Sequence, residues 1–183
     1  MTRYRRANTT GATYFFTVVT YRRREFLCDA DVRAALREAI TKVRAGHPFH
    51  IDGWVLLPDH LHAIWTLPPN DAEFALRWQQ IKRAVTRRCG ARLYRGTWMT
   101  PSKAKHREST LWQRRYWEHQ IRDDTDFRRH MDYLHFNPVK HGLVQRVGEW
   151  PYSSFHRHVA AGLYNDDWAV ASMPDAEAFG EAV

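Results

Sequence analysis

The chain has 183 residues, with 28 Lys and Arg against 20 Asp and Glu, and a formal net charge of +8. The length predicts a single domain over residues 1–170, including a basic N-terminal arm, and a flexible tail over residues 171–183. No stretch approaches the roughly 18 apolar residues of a membrane-spanning helix. The two cysteines, Cys28 and Cys89, are too few for a disulfide framework, so a reducing, cytoplasmic compartment is favoured over secretion.

The charge and the aromatic content indicate a polyanionic partner. A net positive field attracts duplex DNA, single strands or an anionic membrane surface. The chain also contains 8 Trp, 8 Tyr and 9 Phe. Because unpaired bases stack on aromatic rings, this content favours single-stranded nucleic acid, although packing in the core is the alternative use of such rings.

The hydrophobic patterns predict alternating strands and helices. In chain order they are a strand at 14–21, a helix at 29–45, strands at 49–57 and 61–67, a helix at 71–89, a strand at 116–122 and a helix from 124. A turn at Pro58-Asp59 joins the second and third strands into a hairpin. This order predicts an α+β fold, a ferredoxin-like split βαβ with an antiparallel sheet, followed by a further C-terminal helix and tail.

Two segments in the second half of the chain are interpreted from their polarity and from a proline that disfavours helix. Residues 95–110 are polar and basic without a period, which predicts a mobile loop. Asp124 or Thr125 is expected to cap the last long helix. Pro138 biases Asn137 away from continuing it, which places Tyr133 on the last full turn.

His60 and His62 form the most informative pair in the sequence. Side chains two apart on a strand leave the sheet on the same face, so both imidazoles point together while Leu61 turns into the apolar layer. Such a pair offers two nitrogen ligands for a divalent ion. The alternative is one surface histidine beside a hydrogen-bonded neighbour.

Tyr133 and Asn137 form a second informative pair. They are four residues apart on a predicted helix, so a phenol and an amide oxygen share one face. A hydroxyl group and a third metal ligand would then arrive together. The alternative is that Tyr133 packs in the core and Asn137 caps the helix.

These segments carry a resemblance to a known family. Residues 58–62, Pro-Asp-His-Leu-His, resemble the HUH motif of single-strand transposases with one catalytic tyrosine, and residues 133–142 resemble their tyrosine helix. The segments 11–17, 111–119 and 150–157 are similar to the narrower group of REP-associated tyrosine transposases, which act on repetitive extragenic palindromic elements. The resemblance implies a ferredoxin-like fold, a hairpin DNA partner and Tyr133 as the nucleophile that becomes joined to a 5′ phosphate. It also implies His60, His62 and Asn137 as metal ligands.

The chemistry of a phenol nucleophile is consistent with a metal ion. A phenol with a pKa near ~10 attacks poorly at neutral pH unless the phosphorus is polarised. Two imidazoles and an amide oxygen suit Mg²⁺ or Mn²⁺, with Zn²⁺ as an alternative. We therefore predict a metal-dependent single-strand DNA endonuclease and strand transferase. The alternatives are a non-catalytic hairpin-binding protein and a metal-dependent nucleotide phosphoesterase.

The remaining polar residues are interpreted as DNA contacts or solvated groups. Candidate phosphate contacts are Arg3, Arg5, Arg6, Arg22, Arg23, Arg24, Lys82, Arg83, Arg87, Arg88 and Lys140. Glu118 is predicted to be a solvated charge, with a base or metal-shell residue as the alternative. The histidines near the tyrosine helix, His119, His130, His135 and His141, are predicted to be at the surface or facing DNA. A monomer at the bacterial nucleoid is expected, with a dimer as the alternative.

Overall fold

The computed structural model describes residues 9–168. The predicted DNA contacts Arg3, Arg5 and Arg6, and the predicted tail over residues 171–183, lie outside the described residues. The elements are β1 (Thr13–Val19), α1 (Ala30–Gly46), β2 (His50–Leu56), β3 (His60–Thr66), α2 (Phe74–Leu93), α3 (Pro101–Lys105), β4 (Trp117–Gln120), α4 (Asp124–Lys140) and α5 (Phe155–Ala160). Single 3₁₀ turns lie at Tyr21–Arg23, Gly96–Trp98 and Val147–Glu149.

The four strands form one antiparallel sheet in the order β2-β3-β1-β4. Because β3 is inserted between β1 and β2, those two strands run in the same direction without touching. This is the split βαβ arrangement, and it confirms the predicted fold class. The register pairs Thr17 with His62 across β1 and β3, and Phe15 with His119 across β1 and β4.

The sheet separates two apolar layers because strand side chains alternate between its faces. On one face, Phe16 and Trp65 pack with Trp78 of α2, and the two tryptophan rings stack at 4.1 Å. On the other face, Phe15 and Ile64 belong to a cluster that includes buried side chains of α4. Helix α4 therefore lies over the face that carries His60 and His62.

Gly53 allows α4 to lie close to strand β2. A Cβ atom built on Gly53 would be 2.8 Å from Sδ of Met131 and 3.2 Å from a methyl carbon of Leu134, both on α4. The strand register is also shifted between Ile51 and Gly53. The absence of a side chain at Gly53 therefore lets α4 lie close to β2.

Helix α4 passes through Pro138 and ends later than expected. The main-chain N–H of Leu143 donates to the carbonyl of Pro138 at 2.9 Å, and Gly142 adopts a φ of +67°. This is a glycine-terminated helix end. The prediction that Pro138 ends the helix and leaves Tyr133 on its last full turn is wrong, because packing of the buried Asn137-Pro138 turn outweighs the local bias of proline.

The segment 95–110 is ordered rather than a featureless loop. The Thr100 hydroxyl oxygen accepts a hydrogen bond from the main-chain N–H of Lys103 at 3.2 Å, and Pro101 occupies the start of α3. The Lys103 ammonium lies 3.8 Å from the centre of the Tyr21 ring. The prediction that this segment has no regular structure is therefore wrong, because a capped helical turn and a cation–π contact define its path.

Two predictions made from composition concern membrane-spanning helices and disulfide bonds. Within residues 9–168, none of the helices combines the length and apolarity needed to cross a bilayer. Cys28 and Cys89 are both free thiols, as predicted, and burial raises the pKa of Cys28 to about 11.

Candidate active site

Strand β3 presents His60 and His62 to α4. Both side chains are buried, and their ring centroids are 5.0 Å apart at an interplanar angle of 82°. Leu61, between them, belongs to the core on the opposite face of the sheet. The predicted shared face of the two histidines is therefore present.

Each histidine is oriented by a neighbouring oxygen. His60 Nδ1 lies 2.6 Å from a carboxylate oxygen of Asp59, and His62 Nδ1 lies 2.9 Å from the hydroxyl oxygen of Thr17. Arg23 donates to the other Asp59 oxygen at 3.2 Å. Carboxylates and hydroxyls that hold one ring nitrogen are the usual neighbours of metal-binding histidines, so an ion would be bound through Nε2 of each ring.

Asp59 is a carboxylate at neutral pH. Burial alone would raise its pKa, but hydrogen bonds and charge from His60 and Arg23 outweigh burial and lower the pKa below its usual value. A fixed negative charge beside His60 increases the basicity of that ring, which favours metal binding.

Helix α4 carries one stripe of side chains over the histidine pair. The Tyr133 ring lies 5.5 Å from that of His62, and the His141 ring lies 5.0 Å from that of His60. Asn137 is four residues from each of them and is fully buried, so it lies on the same stripe between the two contacts. Two imidazoles and an amide form a donor set that fits a divalent cation.

Lys140 places a positive charge next to the hydroxyl of Tyr133. Its Nζ donates to Tyr133 Oη at 2.9 Å and lies 4.8 Å from the centre of the ring. The sequence assigned Lys140 to phosphate binding, and that contact stays a prediction. Within this structure its ammonium is bound to the candidate nucleophile.

Glu118 lies on the wrong face of the sheet for the histidine pair. It is 7% exposed and is paired with Phe16 of β1, whose side chain belongs to the core beneath α2. The prediction of a solvated charge is therefore wrong. The strand register also separates Glu118 from His60 and His62, because cross-strand partners share a face.

The four histidines near α4 are mostly not at the surface. His130 and His135 are buried and His119 is half-buried, whereas His141 is exposed. Burial lowers the pKa of His135 to about 3, so this ring is neutral. The surface prediction is thus wrong for the two buried residues, because α4 is covered on more than one side.

Several of the predicted phosphate contacts within residues 9–168 also make contacts inside the protein. Arg22 lies 4.7 Å from the Trp98 ring and Arg24 donates to the Leu93 carbonyl at 2.7 Å. Arg88 pairs with Glu38 at 3.3 Å. A cavity of about 920 Å³ between α2 and residues 106–116 is lined by two of the predicted contacts, Lys82 and Arg83, together with Arg107 and Arg114.

Sequence reasoning missed the residues that orient the site. Thr17 is far from His62 in sequence, and only the strand register brings them together. Asp59 precedes His60 directly, so a carboxylate partner was visible in the sequence. The cluster of His119, Asp126 and His130 was also missed, although Asp126 and His130 have the i, i+4 spacing of helical neighbours.

Comparison with known proteins identifies the class. A family described as "Transposase IS200 like" matches residues 8–136. A REP-associated tyrosine transposase from Escherichia coli is 46% identical over 169 residues, covering 92% of each chain. A relative from Haemophilus influenzae is 41% identical over 182 residues, covering 99% of each chain.

A solved structure gives the same result. A REP-associated tyrosine transposase bound to a REP hairpin superposes with a TM-score of 0.83 at 43% identity, covering 100% of this chain and 99% of that one. The chain therefore belongs to the IS200-like transposases and, among these, to the REP-associated tyrosine transposases. It is thus a DNA-processing enzyme by family.

Proposed function

We propose that this protein is a metal-dependent single-strand DNA endonuclease and strand transferase that cleaves and rejoins REP hairpin DNA. The observation that carries the proposal is the position of Tyr133, whose ring lies 5.5 Å from that of His62. A phenol beside a candidate metal site is the arrangement that attack on a phosphodiester needs. The family of the chain supports the same reaction class.

His60, His62 and Asn137 would hold the ion, Mg²⁺ or Mn²⁺. A divalent ion bound there would offset negative charge on the phosphoryl group. Asp59 and Thr17 keep the two rings in place through their Nδ1 atoms. The site residues lie between the sheet and α4 and are buried, which strengthens electrostatic interactions with a bound phosphate.

Tyr133 is the proposed nucleophile. Its Oη attacks the phosphorus, the bond from phosphorus to the 3′ oxygen breaks, the phenol loses its proton and the departing oxygen takes one up as a 3′ hydroxyl. The strand is left joined to Tyr133 through its 5′ phosphate. Attack of a 3′ hydroxyl on this ester reverses the step and rejoins DNA, so no ATP is required. The Lys140 ammonium, bonded to Oη, favours the phenolate form.

The proposed partner is single-stranded DNA that carries a hairpin. The related transposase solved with a REP hairpin supports this partner, as does the net charge of +8. The predicted arginine and lysine contacts would bind the phosphates. We place the protein in the cytoplasm at the nucleoid, acting as a monomer.

The test is recovery of a covalent adduct after denaturation. A hairpin oligonucleotide is labelled at its 3′ end, because the fragment that stays attached to Tyr133 is the one that begins with the 5′ phosphate. The natural protein with Mn²⁺ is expected to give a slower-migrating labelled band on a denaturing gel, and Tyr133→Phe none. Tyr164→Phe is the matched control, since its hydroxyl donates to Asp132 at 2.6 Å.

The other outcomes distinguish the alternatives. Hairpin binding without cleavage or adduct would identify a non-catalytic hairpin-binding protein. Hydrolysis of small nucleotides without any adduct would identify a phosphoesterase. An adduct formed by Tyr133→Phe would show that another residue is the nucleophile.

A further inference from the structure

A second group of potential metal ligands lies between β4 and the first turns of α4. One ligand atom each from His119, Asp126 and His130 lies within 4.8 Å of the others. His119 shares a sheet face with Phe15 and so points towards α4. Asp126 and His130 are four residues apart on α4, so their side chains are neighbours on the helix.

We propose that His119, Asp126 and His130 form a second metal site, separate from the histidine pair, that binds Zn²⁺ or a similar transition-metal ion. Two imidazoles and one carboxylate are a common ligand set for such ions. His119 Nε2 lies 2.8 Å from the Asp126 carboxylate, and one ligand atom from each of the three residues lies within 4.8 Å of the others. Neighbouring ligand atoms around a tetrahedral zinc ion are about 3.3 Å apart, so binding requires the three groups to draw together slightly.

The surroundings hold the ligands in place and leave one side accessible. His130 Nδ1 donates a hydrogen bond to the main-chain carbonyl of Asp126 at 2.8 Å, which fixes the ring and makes Nε2 the atom that would bind the ion. The rings of His119 and His130 stack at 4.5 Å. Arg122 contacts the Asp126 carboxylate at 3.1 Å, but its side chain is 71% exposed and can move into solvent when an ion takes its place.

The ring of Phe15 separates this site from the histidine pair. Its centroid lies 5.0 Å from that of His130 and 5.2 Å from that of His62. An ion at the second site would join β4 to α4 one turn before Tyr133. We therefore assign it a structural role, fixing the helix that carries the nucleophile. This role does not depend on the proposed reaction.

The test measures zinc binding without any DNA. Purified metal-free His60→Ala/His62→Ala protein is titrated with Zn²⁺ by calorimetry, in the presence of a weak chelator that removes loosely bound ions. About one equivalent is expected to bind and to raise the melting temperature. Adding His119→Gln is expected to abolish both effects. His50→Ala is the matched control, because His50 pairs with Asp52 at 2.8 Å as His119 pairs with Asp126.

Two results would overturn the proposal. One is the absence of zinc binding by folded His60→Ala/His62→Ala protein. The other is binding that His119→Gln leaves unchanged. Either result would mean that the three residues form a hydrogen-bonded cluster that binds no ion. If His119→Gln does not fold by circular dichroism, Asp126→Asn serves instead, because it removes the charge and keeps the shape.

Discussion

Lys140 and Tyr133 are joined by a hydrogen bond of 2.9 Å from Nζ to Oη, across two turns of one helix. Replacing Lys140 by Met should slow adduct formation roughly tenfold or more at neutral pH, because the phenolate loses its neighbouring positive charge. The pH dependence of the reaction should move to more alkaline values. Single-turnover adduct formation on a hairpin oligonucleotide, followed from about pH 6 to pH 10, measures both effects.

The control for this prediction is Lys140→Arg, which keeps the charge. It should retain the natural pH profile even if its rate falls. A Met variant with the natural profile would show that the ammonium contributes only to DNA binding.

Thr17 should tune metal affinity without being a ligand. Its hydroxyl bonds His62 Nδ1 at 2.9 Å, and loss of such an orienting partner weakens metal binding by about 10- to 100-fold. Thr17→Val keeps the shape of the side chain and removes the bond. Mn²⁺ titration by calorimetry provides the measurement. Thr13→Val, which breaks a 2.7 Å hydroxyl bond to Thr66 farther along β1, should leave the affinity unchanged.

Arg83 should contribute to the salt dependence of DNA binding. It is exposed on α2 and lines the cavity that contains Lys82, Arg107 and Arg114. Arg83→Ala should reduce the slope of log affinity against log salt by about 0.7 to 0.9, the effect of one phosphate contact. Fluorescence anisotropy on a hairpin oligonucleotide measures it. Arg146→Ala is the control, since its guanidinium is paired with Glu149 at 2.9 Å, and an equal change there would remove Arg83 as a specific contact.

Gly53→Ala should be mildly destabilising. The added Cβ would lie 2.8 Å from Met131 Sδ, but this thioether is the flexible end of its side chain and can shift, so the loss should be about 1 kcal/mol. Urea unfolding gives the value. In combination with Met131→Ala the loss should be smaller than the sum of the two single losses, because the clash is removed. Gly90→Ala on α2, where nothing lies within 4 Å, should be neutral or slightly stabilising.

The ion pair between Arg77 and Asp71 should make stability depend on acid pH. Arg77 is fully buried and donates to both Asp71 oxygens, at 2.9 and 2.6 Å. The Asp71 side chain is 28% exposed, and Arg77 also donates to the carbonyls of His47 and Pro48, so Asp71→Asn should cost about 1.5–3 kcal/mol in the free energy of unfolding. Asp31→Asn, at an exposed pair with Arg92, should cost about 1 kcal/mol or less.

The sign of the pH effect follows from the pKa of Asp71. Hydrogen bonding from Arg77 lowers this pKa below its usual value of 3.8. The unfolded chain therefore binds more protons at low pH, so the stabilisation is complete above pH 3.8 and is lost as the pH falls through the lower folded-state pKa. The stability difference between the natural protein and Asp71→Asn should shrink in this range. A constant difference would contradict the assignment.

Local periodicity predicted the parts of the site that depend on a single element. The period of two on β3 placed His60 and His62 on one face, and the period of α4 placed Asn137 with Tyr133. The pairing of Thr17 with His62 depends on which strands are neighbours, and no local pattern contains that information. The same holds for Glu118, whose face is set by the register of β4 against β1.

Two predictions were wrong although the sequence contained evidence for the observed structure: the end of α4 and the segment 95–110. Pro138 was expected to end α4, but the helix continues to Lys140, with Asn137 and Pro138 both buried. The run from residue 95 to 110 was interpreted by its polarity. Its Thr100-Pro101 pair is nevertheless a helix start, with a capping hydroxyl followed by proline at the first helical position.

Tyr133, Asn137 and Lys140 are all carried by α4, whereas His60 and His62 belong to the sheet. The two halves of the proposed catalytic apparatus are therefore carried by different elements of secondary structure. The distance between the Tyr133 hydroxyl and the two imidazoles is thus set by how a single helix packs on the sheet, and a substitution at that packing interface would alter the centre without touching any of its residues.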